Sequence, residues 1–98
     1  MADGFVRVKK SIIENKNLSV YERMILFIFI DRQELALSIG EDSFFCYVDW
    51  LADTLNVSVR TIKTAIKNLK QLGYINIEKR KYKVGKRNYY SVNKELLV

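Results

Sequence analysis

Basic and hydrogen-bonding side chains recur at helical spacing in the stretch from Ser58 to Leu72. If this stretch is a helix, one of its sides carries no acidic residue and holds Arg60, Lys63, Thr64, Lys67, Asn68 and Gln71. Cationic groups and hydrogen-bond donors in such a row can contact phosphate oxygens and the edges of bases. The pattern therefore predicts a helix that contacts nucleic acid. An ordinary amphipathic helix with a solvated basic side is the alternative.

The other side of the same stretch is apolar, as expected for a helix that packs on a protein core. Its residues recur at intervals of three and four and are Val59, Ile62, Ala65, Ile66, Leu69 and Leu72. Ser58 can cap the first turn by accepting hydrogen bonds from free backbone amides, and Gly73 can adopt the left-handed conformation that ends the last turn. The sequence thus predicts an α-helix from Ser58 to Leu72.

A second basic cluster lies between Lys79 and Arg87, where six of nine residues are Lys or Arg and none is acidic. Apolar and polar residues alternate on both sides of the cluster, which predicts two strands with an inner face of Ile75, Ile77, Tyr90 and Val92. Gly85 tolerates a positive φ and would allow the turn of a β-hairpin. The charged tip suits phosphate binding, although lysines also protect edge strands from pairing with other chains.

A shorter amphipathic helix is predicted from Val48 to Leu55, directly before the turn Asn56-Val57. The spacing of apolar residues lets this helix cross the next one through Leu51, Ala52, Val57, Ile62 and Ile66. We therefore predict a helix-turn-helix unit over residues 47–72 and a wing over residues 74–92. Trp50 projects away from the apolar stripe, so it either packs on the N-terminal segment or contacts a partner.

Ser19 and Glu22 form the sequence pattern of a capping box, which predicts a helix running to about Leu35. In a helical projection the apolar residues from Met24 to Ile30 cover every direction, so the middle of this helix has no polar side. The helix is therefore either the centre of the domain or part of a homodimer interface. For a homodimer, the candidate interface residues are Ile25, Phe29 and Trp50.

The chain has 98 residues, enough for a single domain with a modest core. Its net charge of +6 is unevenly distributed: residues 1–57 carry six basic and nine acidic side chains, and residues 58–98 carry eleven basic and two acidic ones. This segregation makes one pole attractive to polyanions, of which nucleic acid is the commonest. Short strands are predicted at Phe5–Val8 and Phe44–Cys46, and Leu96 and Leu97 are expected to pack on the core.

The sequence contains no histidine and a single cysteine, Cys46, so it can build neither a disulfide nor a zinc site within the chain. Cys46 stands in an apolar run and is expected to be a small buried residue rather than a nucleophile. We expect no enzymatic activity, no metal and no cofactor. The absence of a possible disulfide fits a reducing, cytoplasmic setting, and no signal peptide is visible. No apolar run approaches the roughly twenty residues of a membrane span, so we expect no membrane partner. No small-molecule ligand is evident from the sequence.

The whole pattern resembles the winged helix-turn-helix fold, an α+β, mainly α architecture of three helices and a C-terminal two-stranded β-hairpin wing. This resemblance rests on a series that runs through Leu51-Ala52, Val57-Ser58, Thr61-Ile62, Ile66, Leu69 and Gly73-Tyr74-Ile75. The sequence is also similar to the N-terminal DNA-binding domain of Rep-type plasmid and phage replication initiators, at Leu18-Ser19, residues 31–35, Asn68-Leu69 and residues 85–90. Those initiators carry further domains, whereas this sequence ends just past the wing. We therefore expect a small accessory protein that marks a replication or transfer origin on a mobile element.

For this class of protein we expect sequence-specific binding to double-stranded DNA. In the recognition helix, the candidate contacts are Arg60, Thr61, Lys63, Thr64 and Lys67. In the wing, the candidates for phosphate or minor-groove contacts are Arg80, Lys81, Lys83, Lys86, Arg87, Asn88 and Tyr89. The wing carries more charges than the helix, so either element could dominate recognition. A transcriptional repressor, a protein-interaction module and an RNA-binding protein remain alternatives.

Overall fold

Helix α1 begins at the predicted capping box. The backbone amide of Glu22 donates to the Ser19 hydroxyl at 3.1 Å, and the Ser19 amide donates to the Glu22 carboxylate at 2.9 Å. The helix spans Val20–Ser38 and so continues beyond Leu35, where the sequence predicts its end. It stops there because Gly40 adopts a φ of +82°, the left-handed conformation that reverses the chain after a helix.

Two further helices and an antiparallel sheet follow α1 in the chain. The computed structural model describes Ile12 and residues 14–96, so the predicted strand at Phe5–Val8 and the packing of Leu97 lie outside the described residues. The remaining elements are β1 (Phe44–Phe45), α2 (Val48–Leu55), α3 (Val59–Gln71), β2 (Ile75–Tyr82), β3 (Gly85–Val92) and a 3₁₀ turn at Lys94–Leu96. This mainly helical α+β arrangement confirms the predicted winged helix-turn-helix fold. None of the described helices combines the length and the apolar character needed to cross a membrane.

The middle of α1 lies at the centre of the hydrophobic core. Ile25 and Phe29 have no exposed surface, and the Phe29 ring centre is 5.1 Å from that of Phe44 and 5.0 Å from that of Tyr90. Helix α3 and the sheet both contact α1 and bury Ile25, Leu26, Phe29 and Ile30, whereas Met24 remains 42% exposed. The prediction that Ile25 and Phe29 form a dimer interface is therefore wrong, and the alternative of a central helix is confirmed.

Helices α2 and α3 form the predicted helix-turn-helix unit. Asn56 adopts a φ of +56°, and the Val57 amide donates to the Ala52 carbonyl at 2.9 Å, which ends α2 and turns the chain. At the start of α3 the Ser58 hydroxyl accepts from the Thr61 amide at 3.1 Å, as an N-cap does. The predicted crossing is confirmed by the burial of Leu51, Ala52, Ile62 and Ile66.

The short strand predicted at Phe44–Cys46 is confirmed as β1, and it joins the two wing strands in one sheet, which the sequence does not predict. The sheet order is β1-β3-β2, so β3 is the central strand, with the short β1 on one side and β2 on the other. Phe44 lies across from Tyr90, and Phe45 lies across from Tyr89. The wing is therefore the pair of long strands in a three-stranded sheet, rather than a separate two-stranded hairpin. Its inner face consists of the predicted residues Ile75, Ile77, Tyr90 and Val92, of which Ile77 is half-buried.

The buried side chain of Gln33 connects the end of β3 to α1 by a hydrogen bond. Its side-chain amide donates to the Asp42 carbonyl at 2.9 Å, and its side-chain carbonyl accepts from the Val92 amide at 2.8 Å. Both polar atoms of the buried amide are thus satisfied by backbone groups, as buried polar groups require. Gln33 therefore fixes the end of β3 against α1, although its polarity alone would assign it to the surface.

Candidate nucleic-acid interface

The side of α3 that points away from the core is basic and open. Arg60, Lys63 and Lys67 are exposed, and with Val59 and Thr64 they line a shallow groove along the helix. The opposite side of the helix is buried, so the core holds the whole row in one orientation. Four of the five residues predicted in the recognition helix therefore lie on one surface.

Thr61, the fifth of these residues, lies half-buried at the N-terminus of α3. Its hydroxyl is 2.9 Å from the Ser58 hydroxyl, and its amide donates to the same oxygen at 3.1 Å. The Thr61 side chain thus takes part in the helix cap. Thr61 can therefore contact nucleic acid only through the part of its side chain that remains exposed.

Asn68 contacts α1 instead of extending the basic row in which the sequence places it. Its side-chain amide donates to one carboxylate oxygen of Glu22 at 2.9 Å, and the other oxygen of Glu22 accepts from the Ser19 amide at 2.9 Å. The buried Glu22 carboxylate therefore links the first turn of α1 to α3 and helps to position the recognition helix. Sequence reasoning identified Glu22 only as a capping residue, because a second partner 46 residues away leaves no local pattern.

The register of the wing divides its polar residues between two faces. Paired residues in antiparallel strands share a face, and successive residues of one strand point to opposite faces. Beyond the inner pair Ile77 and Tyr90, the face on the side of the helices carries Lys79, Lys81, Lys86 and Asn88. The opposite face, here called the outer face, carries Glu78, Arg80, Tyr82, Arg87 and Tyr89. Only the first group lies on the same side of the sheet as α3.

Two arginines of the outer face are stacked on aromatic rings. The guanidinium carbon of Arg87 lies 3.8 Å from the ring centre of Phe45 and 3.4 Å from that of Tyr82. The guanidinium carbon of Arg80 lies 4.6 Å from the ring centre of Tyr89. The sequence groups Arg80, Arg87 and Tyr89 with the basic side of α3 in one site, but the structure does not bring these residues together with it.

Arg80 also forms an ion pair with Glu78 on the same strand. The hydrogen bond from Arg80 to this carboxylate raises the pKa of the guanidinium above its usual value. Both side chains keep about half of their surface in contact with solvent, at 45% for Arg80 and 64% for Glu78. The ion pair is therefore screened, and it orients Arg80 more than it stabilises the fold.

The turn of the wing consists of Lys83 and Val84. Lys83 adopts a φ of +49°, whereas Gly85 opens β3 opposite Tyr82 without a positive φ. The predicted role of Gly85 as the left-handed turn residue is therefore wrong, and Lys83 takes that role at a cost of roughly 1 kcal/mol. The ammonium group of Lys83 lies 5.4 Å from the Tyr82 ring centre, at the exposed tip of the wing.

Two residues near the sheet have roles unrelated to the basic surface. Cys46 is buried, as predicted for a small core residue, and this burial raises the pKa of its thiol. Trp50 is 42% exposed, and the guanidinium carbon of Arg32 lies 4.9 Å from its ring centre. Trp50 thus packs against α1 and still presents part of its ring to solvent.

An exposed basic helix in a helix-turn-helix unit, followed by a basic β-wing, is the architecture of a winged helix-turn-helix domain. The sequence model of a family described as an HTH domain matches residues 48–87, from the start of α2 into β3. This match supports a helix-turn-helix DNA-binding domain, and the matched segment contains both basic clusters. No curated protein and no solved structure matches the chain.

Proposed function

We propose that the protein binds double-stranded DNA sequence-specifically, with α3 in the major groove and the wing on the flanking backbone. The proposal is carried by the row of Arg60, Lys63 and Lys67, which the core holds on the exposed side of the second helix of the helix-turn-helix unit. The helix-side face of the wing adds Lys81 and Lys86, which are directly paired across the two strands. In this arrangement the helix reads bases and the wing fixes the position of the protein on the backbone.

The exposed residues of α3 have the chemistry that major-groove recognition uses. Arginine and lysine donate to the O6 and N7 acceptors of guanine, and the methyl group of a threonine contacts the methyl group of thymine. Thr64 lies in the same shallow groove as the basic residues and is therefore placed for such an apolar contact. The paired Lys81 and Lys86 offer point charges that suit phosphates rather than bases.

Duplex binding should weaken steeply as salt is added. The exposed cations of α3 and of the helix-side face of the wing are Arg60, Lys63, Lys67, Lys79, Lys81 and Lys86. If together they neutralise about six phosphates, the logarithm of the association constant should fall with the logarithm of the salt concentration with a slope of about −5. Fluorescence anisotropy with a labelled duplex at several potassium chloride concentrations measures this slope. A slope shallower than about −2 would contradict a phosphate-binding surface formed by both α3 and the wing.

We infer that the bound site is an origin of replication or transfer on a plasmid or another mobile element, where the protein acts as an accessory factor. The support is the similarity to Rep-type initiators at Leu18-Ser19, residues 31–35, Asn68-Leu69 and residues 85–90. A transcriptional repressor is the second candidate, because the match to an HTH domain fits that role equally well.

Footprinting on DNA fragments that cover the region around the coding sequence separates these two roles. An origin-binding accessory factor should protect repeated sites within a replication or transfer origin. A repressor should protect a site that overlaps a promoter. Protection confined to a promoter would contradict the origin-binding proposal while leaving sequence-specific duplex binding intact.

We also propose that the protein binds its site as a homodimer. Ile25 and Phe29 lie in the core, so the support comes from large apolar side chains that remain exposed, among them Ile39 and the predicted interface residue Trp50. Light scattering should give twice the mass of one chain, and Trp50→Ala should shift the equilibrium toward the monomer. A monomeric mass at every concentration, with a footprint of one unrepeated site, would contradict this proposal.

A further inference from the structure

The outer face of the sheet carries a continuous layer of aromatic and guanidinium groups. Arg87 lies between the rings of Phe45 and Tyr82, and the ring centre of Tyr47 is 4.4 Å from that of Phe45 in an edge-to-face contact. The layer extends along β3, where the Tyr89 ring centre lies 6.3 Å from that of Phe45. We call this the aromatic layer, and its members are Phe45, Tyr47, Arg80, Tyr82, Arg87 and Tyr89.

The aromatic layer does not belong to the hydrophobic core. The core uses the inner face of the sheet, where Tyr90 and Val92 are buried. In the layer, by contrast, Tyr47 is 61% exposed and Tyr82 is 37% exposed. Rings that keep this much surface in water, side by side on one face of a sheet, are typical of a surface that binds another molecule.

We propose that the aromatic layer binds single-stranded nucleic acid by stacking unpaired bases on the exposed rings of Tyr47 and Tyr82. Every base has an apolar face that stacks on aromatic side chains, and arginine adds cation–π attraction and a charge for the phosphates. Arg80 and Arg87 lie within the layer, and Lys83 lies at the adjacent wing tip. Among the outer-face residues of β2 and β3, the single acid is Glu78, which is paired with Arg80.

Unpaired bases fit this surface better than a duplex does. In a duplex the bases are stacked on each other, so their faces are not available to rings on a flat sheet, whereas a single strand can spread its bases over such a sheet. The layer and the basic row of α3 lie on opposite sides of the sheet. One molecule could therefore hold a duplex on α3 and an adjacent unpaired strand on the outer face, although single-strand binding does not depend on duplex binding.

The test is the affinity for a fluorescein-labelled oligothymidine of about sixteen nucleotides, measured by anisotropy in dilute salt. The double variant Tyr47→Ala/Tyr82→Ala should bind this strand at least about 30-fold more weakly, because each lost stacking contact weakens binding at least about fivefold. The double variant Tyr47→Phe/Tyr82→Phe keeps both rings and should bind like the unchanged protein. Tyr21→Ala removes a comparably exposed ring from α1 and should also leave single-strand binding unchanged.

A second comparison separates this proposal from duplex binding. The variant Lys63→Ala/Lys67→Ala should lose affinity for duplex DNA and keep most of its affinity for the single strand, since its aromatic layer is intact. Circular dichroism shows whether each variant is folded. The proposal is overturned if the unchanged protein does not bind the single strand, or if Tyr47→Ala/Tyr82→Ala binds it normally. It is also overturned if Tyr47→Ala/Tyr82→Ala changes the molar mass of the protein in solution but not its affinity for the single strand. A second copy of the chain would then be the molecule that covers the aromatic layer.

Discussion

The variant Lys63→Ala/Lys67→Ala should bind its duplex site at least about 30-fold more weakly than the unchanged protein, because each lost contact to a base edge costs about 1–3 kcal/mol. Both side chains are exposed on the open side of α3, where they line a shallow groove with Arg60. Their removal leaves the buried side of the helix untouched, so the free energy of unfolding should change by less than about 0.5 kcal/mol. Anisotropy titrations with specific and unrelated duplexes, together with urea denaturation, measure the two quantities.

A matched control separates the position of these lysines from their charge. The variant Lys16→Ala/Lys94→Ala lowers the net charge by the same amount, and both of its sites are exposed and lie outside α3 and the wing. It should weaken duplex binding only slightly, through the long-range field of the protein. Equal losses in the two double variants would show that α3 has no special place in the interface. A loss that is uniform over specific and unrelated duplexes would assign the two lysines to phosphates instead of bases.

The helix-turn-helix unit could be predicted from the sequence because its determinants are local. The apolar spacing and the turn at Asn56-Val57 define α2 with the bounds that the structure shows. The Ser58 cap likewise defines the start of α3. Hydrogen bonds in these caps join residues only a few positions apart, so the sequence contains both partners of each contact within one window.

The basic residues of the wing lie on two opposite faces, as strand geometry requires. Treating them as one cluster because they share a charge hides this separation. Arg80 stands between Lys79 and Lys81 in the sequence, and in a strand it must point to the opposite face. The stacking of Arg87 on Phe45 could not be predicted in the same way. That contact depends on β1 pairing with β3, and a two-residue strand carries no local pattern that selects its neighbour.

The central position of α1 depends on elements far from it in the sequence. An apolar helix without a polar side is compatible with a dimer interface and with a core that surrounds it, and helical periodicity alone does not separate the two. In the structure, β1 and β3 bring Phe44 and Tyr90 against Phe29, and α3 covers the helix as well. The pairing of these strands therefore decides between the two alternatives.

Phe29→Ala should destabilise the protein by about 3–5 kcal/mol, because it removes a fully buried ring and leaves a cavity among Phe44 and Tyr90. Domains of this size unfold at a cost of about 5–15 kcal/mol, so the variant should be partly unfolded or melt far below the unchanged protein. Urea denaturation followed by circular dichroism measures the loss. An interface residue would behave differently, since its replacement would change the molar mass and leave a folded monomer.

Leu35→Ala is the control for this prediction, because Leu35 lies on the same helix but is 61% exposed. Its replacement should change the unfolding free energy by less than about 1 kcal/mol, since little apolar surface returns to water. Comparison at several protein concentrations removes any contribution from association, which would make the stability depend on concentration. Two results would contradict a monomeric core centred on α1. Phe29→Ala could be as stable as Leu35→Ala, or it could lose stability only at protein concentrations at which the unchanged protein is a dimer. Contacts between the two subunits, rather than the core of one chain, would then hold α3 in its orientation.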